Sequence, residues 1–323
     1  MSLARKIVVN QVRRRVCSAH VMRRSYSSEN KSDDFIRSKH PNIDIPKMHF
    51  AEFMFEQFQN FSERIALQCA LTQRKYTYDD ILVKSTHFSK GLRKKLKLQK
   101  GDVIALLLPN IPEFYICTFG SLLAGLKVTT INPLYTPDEI KRQLLDADVK
   151  AIITMIPLWQ LAKASADLTK NNINIITVKS LVRYPTHTHV HKYFDHVCNI
   201  NIITVKSLPN ESVPTGAINF QELVDLNPDI PDIELPSPDE TVFIPYSSGT
   251  TGLPKGVELS SNNLVANISQ VTQPKFKLVL PENTPQDVTI GLLPMFHVYG
   301  FTTMLALMKD GSKVLTLPEI YPR

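Results

Sequence analysis

The segment from Ser247 to Gly256, with the sequence SSGTTGLPKG, consists of small, hydroxylated and flexible residues around a single lysine. Its glycines would let the backbone approach a ligand closely. Its hydroxyl groups, its backbone amides and the ammonium group of Lys255 can all donate hydrogen bonds, which suits a polyphosphate. The spacing differs from the common phosphate-binding loop, because Pro254 stands where that pattern has glycine. Composition alone would favour an ordinary surface loop.

A second segment of chemical interest, LPMFHVYGF, runs from Leu293 to Phe301 and places His297 between aromatic and apolar residues. Taken alone, a histidine in such company is more often a core residue with satisfied ring nitrogens. Two shorter segments stand upstream, the LPN sequence at 108–110 and the NPLYT sequence at 132–136, the latter followed by Pro-Asp-Glu-Ile.

Taken in their order along the chain, the four segments resemble the motifs of the adenylate-forming (AMP-binding) superfamily. This superfamily contains acyl-CoA synthetases, 4-coumarate–CoA ligases, beetle luciferases and peptide-synthetase adenylation domains. The NPLYT and LPN segments are most similar to the 4-coumarate–CoA ligase and luciferase-like branch. The resemblance extends from about Phe50 to the end of the chain, apart from a 27-residue insertion.

This resemblance implies an acyl-CoA ligase that uses ATP, with Mg²⁺, to convert a small-molecule carboxylic acid of fatty or aryl type to acyl-AMP and pyrophosphate, and then transfers the acyl group to coenzyme A with release of AMP. The residues that match ATP-phosphate contacts are Ser247, Ser248, Gly249, Thr250, Thr251, Gly252 and Lys255. The residues that match the acyl pocket are His297, Tyr299 and Thr303. The implied catalytic residues are Lys255 and His297, and no metal site on protein side chains is implied.

The chain also departs from the family pattern. Ser261 stands where the family often has histidine, and Glu319 where related ligases often have lysine. The family's adenine and ribose motifs, hinge and C-terminal domain lie beyond Arg323. We therefore expect an N-terminal part that lacks the C-terminal domain and does not form a thioester by itself, with the strand at 313–317 left at an open sheet edge. The alternatives are a non-catalytic truncated isoform or fragment, and an adenylation module that supplies a carrier protein.

Strand-like and helix-like patterns alternate through the middle of the chain. The predicted strands cover 103–108, 127–131, 151–155, 173–178, 287–293 and 313–317. Helical patterning starts near His49, another helix opens at Thr136, and further predicted helices cover 77–96, 111–125, 158–170, 220–226 and 260–271. Thr77 and Thr136 are predicted helix caps, and five phenylalanines between 50 and 61 are predicted core residues. This alternation indicates an α/β fold with parallel sheets flanked by helices, which here would be the incomplete N-terminal domain of an adenylate-forming enzyme.

The basic charge of the chain is concentrated at its beginning. The first 28 residues carry seven lysine and arginine residues and no acid, which accounts for the whole excess of 37 basic over 30 acidic residues. The charge therefore gives no reason to expect a nucleic-acid partner, and no apolar run is long enough for a transmembrane span. The four cysteines show no paired spacing, which indicates a reducing compartment. We predict a mitochondrial presequence at 1–28, a flexible lead-in at 29–45 and a partial AMP-binding domain at 46–323.

One ten-residue sequence, NINIITVKSL, occurs identically at 172–181 and at 199–208. The repeat predicts a 27-residue duplication or insertion around 182–208, with two copies of one strand of which only one takes the native place in the sheet. The residues between the copies include His187, His189, His191, His196 and Cys198. These could bind a metal ion, but an inserted surface loop is the favoured interpretation because no flanking framework is visible.

The presequence prediction has a direct test. Residues 1 to about 26, fused to a fluorescent protein, should direct it to the mitochondrial matrix and be cleaved near Tyr26, because arginines precede that point in an acid-free segment. A fusion with the seven basic residues replaced by glutamine is the control. A diffuse signal from the unaltered fusion would contradict the prediction and favour the two alternative locations, the peroxisome and the cytoplasm.

Overall fold

The computed structural model describes residues 40–170, 174–178, 202–203, 214–247, 252–274 and 285–318. Residues 43–323 belong to one compact unit and residues 1–42 to another, of which only 40–42 are described. The predicted presequence and most of the lead-in therefore lie outside the described residues, as do the five histidine and cysteine residues between the repeats. No helix in the described part of the chain is long and apolar enough to cross a bilayer.

Seven of the helices in the described part of the chain follow the predicted positions to within a few residues, and the one after His297 has no counterpart among the predicted ranges. In chain order they are α1 (Phe50–Phe58), α2 (Tyr78–Gly91), α3 (Glu113–Leu123), α4 (Pro137–Asp146), α5 (Trp159–Thr169), α6 (Phe220–Leu226), α7 (Ser261–Val271) and α8 (Val298–Lys309). A π-helical turn, Leu92–Leu96, extends α2 to its predicted end. Capping boxes are confirmed at both predicted threonines, where Asp80 completes the box of Thr77 and Glu139 that of Thr136. These residues form helices where they do because the side chains satisfy backbone amides that have no partner inside the helix.

The strands form a large sheet, a small sheet and one short hairpin. They are β1 (Ile65–Cys69), β2 (Lys75–Thr77), β3 (Val103–Leu107), β4 (Lys127–Thr130), β5 (Val149–Met155), β6 (Asn174–Val178), β7 (Ile202–Ile203), β8 (Ile218–Asn219), β9 (Thr241–Ile244), β10 (Tyr246–Ser247), β11 (Lys255–Gly256), β12 (Leu259–Ser260), β13 (Val288–Gly291) and β14 (Lys313–Thr316). The large sheet has the order β12-β9-β4-β3-β5-β6-β7-β8, the small sheet the order β13-β14-β1-β2, and β10 pairs with β11.

The predicted α/β class is confirmed in the large sheet, where every neighbouring pair is parallel except β12 with β9. β3 lies at its centre with all five residues buried, as its continuous apolar sequence predicts for a strand covered on both faces. The chain moves from β3 to β4 on one side and returns to β5 on the other side. In sheets of this type, ligands bind in the crevice that such a change of direction creates at the carboxyl ends of the strands.

The small sheet corrects one expectation about the strand near 313–317. β14 is not an edge strand, because it pairs in parallel with β13 on one side and with β1 on the other. Its partners precede it in the chain, and one of them is about 250 residues away, so local sequence patterns could not reveal the pairing. The edge strands of this sheet are β13 and β2, and β13 leaves Val288 and Ile290 about half exposed.

The aromatic core lies between α1, α2, α3 and α8. Phe50, Phe53 and Phe58 are buried as predicted, and the ring of Phe58 lies 5.0 Å from that of Tyr78 and 5.8 Å from that of Phe119. An ion pair also joins the turn before β2 to the start of α3: Arg74, which is partly buried, donates two hydrogen bonds, of 2.8 and 3.0 Å, to the buried carboxylate of Glu113. Tyr76 donates a third hydrogen bond of 2.8 Å to the same carboxylate, so three donors surround it.

Both copies of the repeated sequence contribute to the large sheet. The first copy supplies β6, which takes the place beside β5, and the second copy supplies the two-residue strand β7. Ile175 pairs with Ile202, its equivalent one repeat later, and Ile218 of β8 pairs with both Ile176 and Ile203, which are also equivalent. The first copy thus occupies the place beside β5, as one copy was expected to do, while the second copy also finds a place in the sheet.

His49 immediately precedes α1 and is 2% exposed. Neither of its ring nitrogens has a hydrogen-bond partner among the described residues. Burial lowers the pKa of His49 to about 4, because the charged ring would be cut off from water. The imidazole is therefore neutral in the folded protein near pH 7.

Acid should destabilise the fold through His49. The unfolded chain takes up this proton below about pH 6.5, whereas the folded protein takes it up only below about pH 4. The free energy of unfolding should therefore fall by about 3 kcal/mol from this residue as the pH drops from 7 to 4. Urea denaturation across that range, compared with His49→Leu, isolates the effect, since the variant cannot titrate. Parallel stability curves for the two proteins would contradict the prediction.

Candidate active site

Three neighbouring strands of the large sheet each end directly before one of the singled-out sequences. β3 leads into the LPN segment, β4 into the NPLYT segment and β9 into the SSGTTGLPKG segment. The three strands are adjacent in the order β9-β4-β3 and run parallel, so their carboxyl ends meet at one edge of the sheet. Sequences that are more than one hundred residues apart are thereby brought to the crevice where a ligand is expected.

The two ends of the glycine-rich segment pair as the antiparallel strands β10 and β11 of a β-hairpin. Ser247 of β10 lies opposite Lys255 of β11, and Gly252 between them has φ +98°, a backbone conformation that favours glycine. The Lys255 side chain is exposed, and no described residue forms a hydrogen bond or ion pair with its ammonium group. Four predicted phosphate contacts, Ser248, Gly249, Thr250 and Thr251, lie outside the described residues, and so does Glu319.

Thr129 of β4 and Gln143 of α4 fix the strand that enters this hairpin. The hydroxyl group of Thr129 donates a hydrogen bond of 2.7 Å to the carbonyl oxygen of Ile244, the last residue of β9. The amide nitrogen of Gln143 donates to the Thr129 hydroxyl oxygen at 3.0 Å and to the Thr130 carbonyl oxygen at 2.9 Å. All three hydrogen bonds are buried. Through Gln143 and Thr129, α4, which follows the NPLYT segment, therefore supports the end of β9, where the chain enters the hairpin.

The segment that contains His297 is held by the end of β4 as well. The hydroxyl group of Thr130 donates a hydrogen bond of 2.5 Å to the carbonyl oxygen of Phe296. Successive side chains of a strand point to opposite faces, which explains how Thr129 reaches the hairpin strand while its neighbour reaches this segment. Two adjacent threonines therefore position both singled-out segments.

Asn110 of the LPN segment makes the third connection. Its amide nitrogen donates to the carbonyl oxygens of Gly291 at 2.9 Å and Leu293 at 2.8 Å, and its side-chain oxygen accepts a hydrogen bond of 2.8 Å from the Met295 amide. The side chain is 5% exposed, and it satisfies three backbone groups of one turn. Because Gly291 ends a strand of the small sheet, Asn110 joins the two sheets at the site.

His297 itself is exposed and is not a core residue, in contrast to the expectation for a histidine with these neighbours. It caps α8, since its Nδ1 accepts a hydrogen bond of 3.3 Å from the Tyr299 amide. Nδ1 is thus an acceptor, which leaves Nε2 free to carry the proton of a neutral ring. Tyr299 is 63% exposed and Thr303 half-buried on the same helix.

Gly300 lets α8 lie against the turn before His297. A side chain at this position would place its Cβ 2.1 Å from the Pro294 carbonyl oxygen, which is impossible without moving the turn. The glycine in LPMFHVYGF therefore has a packing reason, which the sequence alone did not give.

Ser261, the departure from the family pattern, has a structural role here. Its hydroxyl oxygen accepts a hydrogen bond of 3.1 Å from the Phe50 amide, and the side chain is fully buried. Phe50 is the first residue of α1, so this amide has no partner inside its own helix. The neighbouring Ser260 caps α7, as predicted for one of the two serines.

The fold is shared with solved acyl-CoA ligases and luciferases. A long-chain-fatty-acid-CoA ligase from Archaeoglobus fulgidus matches with a TM-score of 0.67 at 20% identity, over 88% of this chain and 50% of that one. A red-emitting luciferase from Phrixothrix hirtus matches with a TM-score of 0.67 at 19% identity, over 89% and 63% of the two chains. A benzoate CoA ligase from Burkholderia xenovorans matches with a TM-score of 0.62 at 19% identity, over 84% and 46%. This chain therefore shares its fold with these CoA ligases and this luciferase.

Sequence comparison then gives the family. Residues 54–322 match the model of the AMP-binding enzymes, and the chain belongs to that family. 4-coumarate:CoA ligase 1 of Petunia hybrida is 33% identical over 293 residues, which are 90% of this chain and 47% of that protein. A probable 4-coumarate–CoA ligase 1 of Dictyostelium discoideum is 30% identical over 90% of this chain and 49% of its own length. The chain thus spans about half the length of the curated relatives it matches.

Sequence reasoning found the candidate ligand contacts but missed the residues that position them. Asn110 lies in a segment that was singled out only for its resemblance, and nothing in the local pattern of Thr129, Thr130 or Gln143 indicates their contacts. Three of these four are polar side chains within or directly after apolar strands. A polar residue at the carboxyl end of a buried strand is the signal that could have identified them, because a buried polar group needs a partner.

The Asn110 connection predicts a large loss of stability on substitution. Asn110→Ala would leave two buried carbonyl groups and one amide without a partner, and we expect the free energy of unfolding to fall by about 2–4 kcal/mol. Asn132→Ala is the matched control, since this exposed asparagine accepts one local hydrogen bond, from the Leu134 amide, and its loss should cost less than about 1 kcal/mol. Chemical denaturation measures both. Equal losses in the two variants would show that Asn110 does not hold the segment.

Proposed function

We propose that this chain binds ATP and a carboxylic acid and serves the first half-reaction of an ATP-dependent acid–thiol ligase. The observation that carries the proposal is that two adjacent residues at the carboxyl end of β4 hold both segments: Thr129 bonds to the end of β9, which enters the hairpin, and Thr130 bonds to the segment of His297. Family membership and the similarity to 4-coumarate–CoA ligases support it.

The roles of the residues follow from their chemistry. Ser247, Gly252 and Lys255 would bind the phosphates from the hairpin, together with Ser248, Gly249, Thr250 and Thr251 of the same segment. His297, Tyr299 and Thr303 would line the acyl pocket, since the first two are exposed beside the strand ends and the third lies further along α8. Lys255 and His297 are the proposed catalytic residues.

In the first step a carboxylate oxygen attacks the α-phosphorus of ATP, the new P–O bond forms and the bond to pyrophosphate breaks. Negative charge develops on the phosphoryl oxygens, and a fixed ammonium group such as that of Lys255 offsets it. In the second step the sulfur of coenzyme A attacks the acyl carbon and AMP leaves with the electron pair of the broken C–O bond. An acid of fatty or aryl type is the proposed substrate class.

The described residues contain no cluster of three or more metal-ligating side chains. Mg²⁺ commonly keeps several waters and binds through substrate phosphates and one or two carboxylates, so we propose that it enters with the nucleotide. It would supply charge neutralisation at the phosphates, while the hairpin residues orient them.

We also propose that the protein acts in the mitochondrial matrix. The support is the seven basic residues without an acid among the first 28 positions. A carrier protein in place of coenzyme A, and a protein that binds its ligands without catalysis, are the alternatives that the assays below distinguish.

Lys255→Ala tests the phosphate site. Loss of one charge-assisted hydrogen bond should weaken the binding of MgATP and of inorganic tripolyphosphate by about tenfold or more, measured by titration calorimetry on the full chain. If pyrophosphate exchange is measurable, its rate should fall about ten- to a thousand-fold.

The matched control is Lys75→Ala, which removes another exposed lysine from a short antiparallel strand, but in the small sheet. It should leave binding unchanged. Equal affinity of the Lys255 variant and the unaltered chain would remove this residue from the phosphate site. Assays of acyl-AMP and thioester with fatty and aryl acids then separate ligand binding, adenylation and full ligase activity.

A further inference from the structure

Tyr246, the residue directly before the proposed phosphate contacts, forms a side-chain hydrogen bond to the end of α4. Its hydroxyl group donates to the Oδ2 atom of Asp146 at 2.5 Å. Asp146 is the last residue of α4, the helix that also supports β9 through Gln143. Gln143 and Asp146 lie about one helical turn apart, so α4 contacts the hairpin directly through Asp146 and supports β9 indirectly, through the hydrogen bond of Gln143 to Thr129.

The position of Asp146 is unfavourable for the helix itself. The carboxyl end of a helix carries a partial negative charge, which repels a carboxylate. The last turn of α4 contains no basic residue to compensate. A hydrogen bond from a phenol therefore gives this carboxylate a partner that its own helix does not provide.

The hydroxyl group of Tyr246 stays protonated and can therefore donate its hydrogen bond to Asp146 at all times. Burial, the hydrogen bond to Asp146 and the charge of that carboxylate together raise the pKa of the phenol above its ordinary value, so the hydroxyl group keeps its proton. Asp146 accepts without donating when it is ionised.

The ring of Tyr246 is also fixed by the opposite strand. Tyr246 pairs with Gly256, and a Cβ at Gly256 would lie 3.1 Å from the Tyr246 Cζ atom and 3.0 Å from the Ile244 Cγ2 atom. The ring therefore lies against the bare backbone of β11. On the far side, the Val257 amide donates a hydrogen bond of 2.9 Å to the Pro245 carbonyl oxygen and closes the base of the hairpin.

We propose that the Tyr246–Asp146 hydrogen bond is a positioning device that fixes the hairpin so that Ser247 and Lys255 face one polyphosphate. The inference rests on the proposed function, because it assigns these two residues to the placement of the same phosphate site. Neither residue needs to touch the ligand. Tyr246 acts through Ser247, its neighbour on β10, and through Gly256, its partner beside Lys255.

Two substitutions remove the hydrogen bond and one conserves it. Tyr246→Phe keeps the ring and removes the donor, Asp146→Ala removes the acceptor, and Asp146→Asn keeps a side-chain oxygen that can accept. The matched control is Tyr76→Phe, which removes a tyrosine-to-carboxylate hydrogen bond of 2.8 Å, to Glu113, in another part of the fold. Any general effect of losing such a bond would appear in the control as well.

The first measurement is the affinity of the full chain for inorganic tripolyphosphate and for MgATP by titration calorimetry. Tyr246→Phe and Asp146→Ala should each weaken binding by about 5- to 30-fold. The double variant should be no weaker than either single variant, because the same bond is lost once. Asp146→Asn should restore most of the affinity, and Tyr76→Phe should leave it unchanged.

The second measurement is hydrogen exchange of the Val257 amide and its neighbours, without any ligand. Exchange should be faster in Tyr246→Phe and Asp146→Ala than in the unaltered chain, and unchanged in Asp146→Asn and Tyr76→Phe. Unchanged exchange in the first two variants would overturn the positioning role whatever the binding data show.

The two measurements separate the two proposals. Tight binding of tripolyphosphate by the unaltered chain and by all variants would overturn the positioning role and leave the proposed function standing. No binding by the unaltered chain, at a concentration where ligand would saturate a millimolar site, would count against the phosphate site itself and therefore also against this assignment.

Discussion

The candidate site depends on hydrogen bonds from buried polar side chains to backbone groups that have no partner in a sheet. Where a parallel strand ends, the chain turns away and its next carbonyl and amide groups lose the ladder of hydrogen bonds, yet they remain inside the protein. Each such group would be costly if it were left unpaired. Thr129, Thr130 and Asn110 supply the missing partners, and the backbone they hold is the backbone that carries the proposed ligand contacts. The hydrogen bonds that pair these buried backbone groups are therefore the same hydrogen bonds that hold the site rigid.

This arrangement also explains how two sheets can serve one site. The hairpin leaves the large sheet after β9, while the segment of His297 follows β13 of the small sheet. Asn110 accepts from and donates to that segment from the end of β3, so a change in the relative position of the sheets would break three hydrogen bonds at once. The ion pair of Arg74 with Glu113 connects the small sheet to α3, the helix that follows the LPN segment.

Local sequence patterns predicted the elements well but not their arrangement. The capping boxes at Thr77 and Thr136 and the apolar run of β3 depend on residues within a few positions of each other, and all three are confirmed. The central place of β14 and the contacts of Asn110 join residues about 180 to 250 positions apart, for which periodicity carries no information. The resemblance supplied the candidate contacts in the hairpin, while the reason for Ser261 became clear only from its contact with the first turn of α1.

The repeated sequence forms two neighbouring strands, β6 and β7, of one parallel sheet. Equivalent residues of the two copies lie side by side, and β8 meets the same residue type in either copy. Because neighbours in a parallel sheet run in the same direction, a tandem copy that returns through its connecting chain arrives already aligned. The copy then widens the sheet at its border and leaves the pairing of the inner strands as it was. Because β7 lies three places from β3 in the order of the sheet, a duplication at this border adds surface without changing the neighbours of the strands that end at the site.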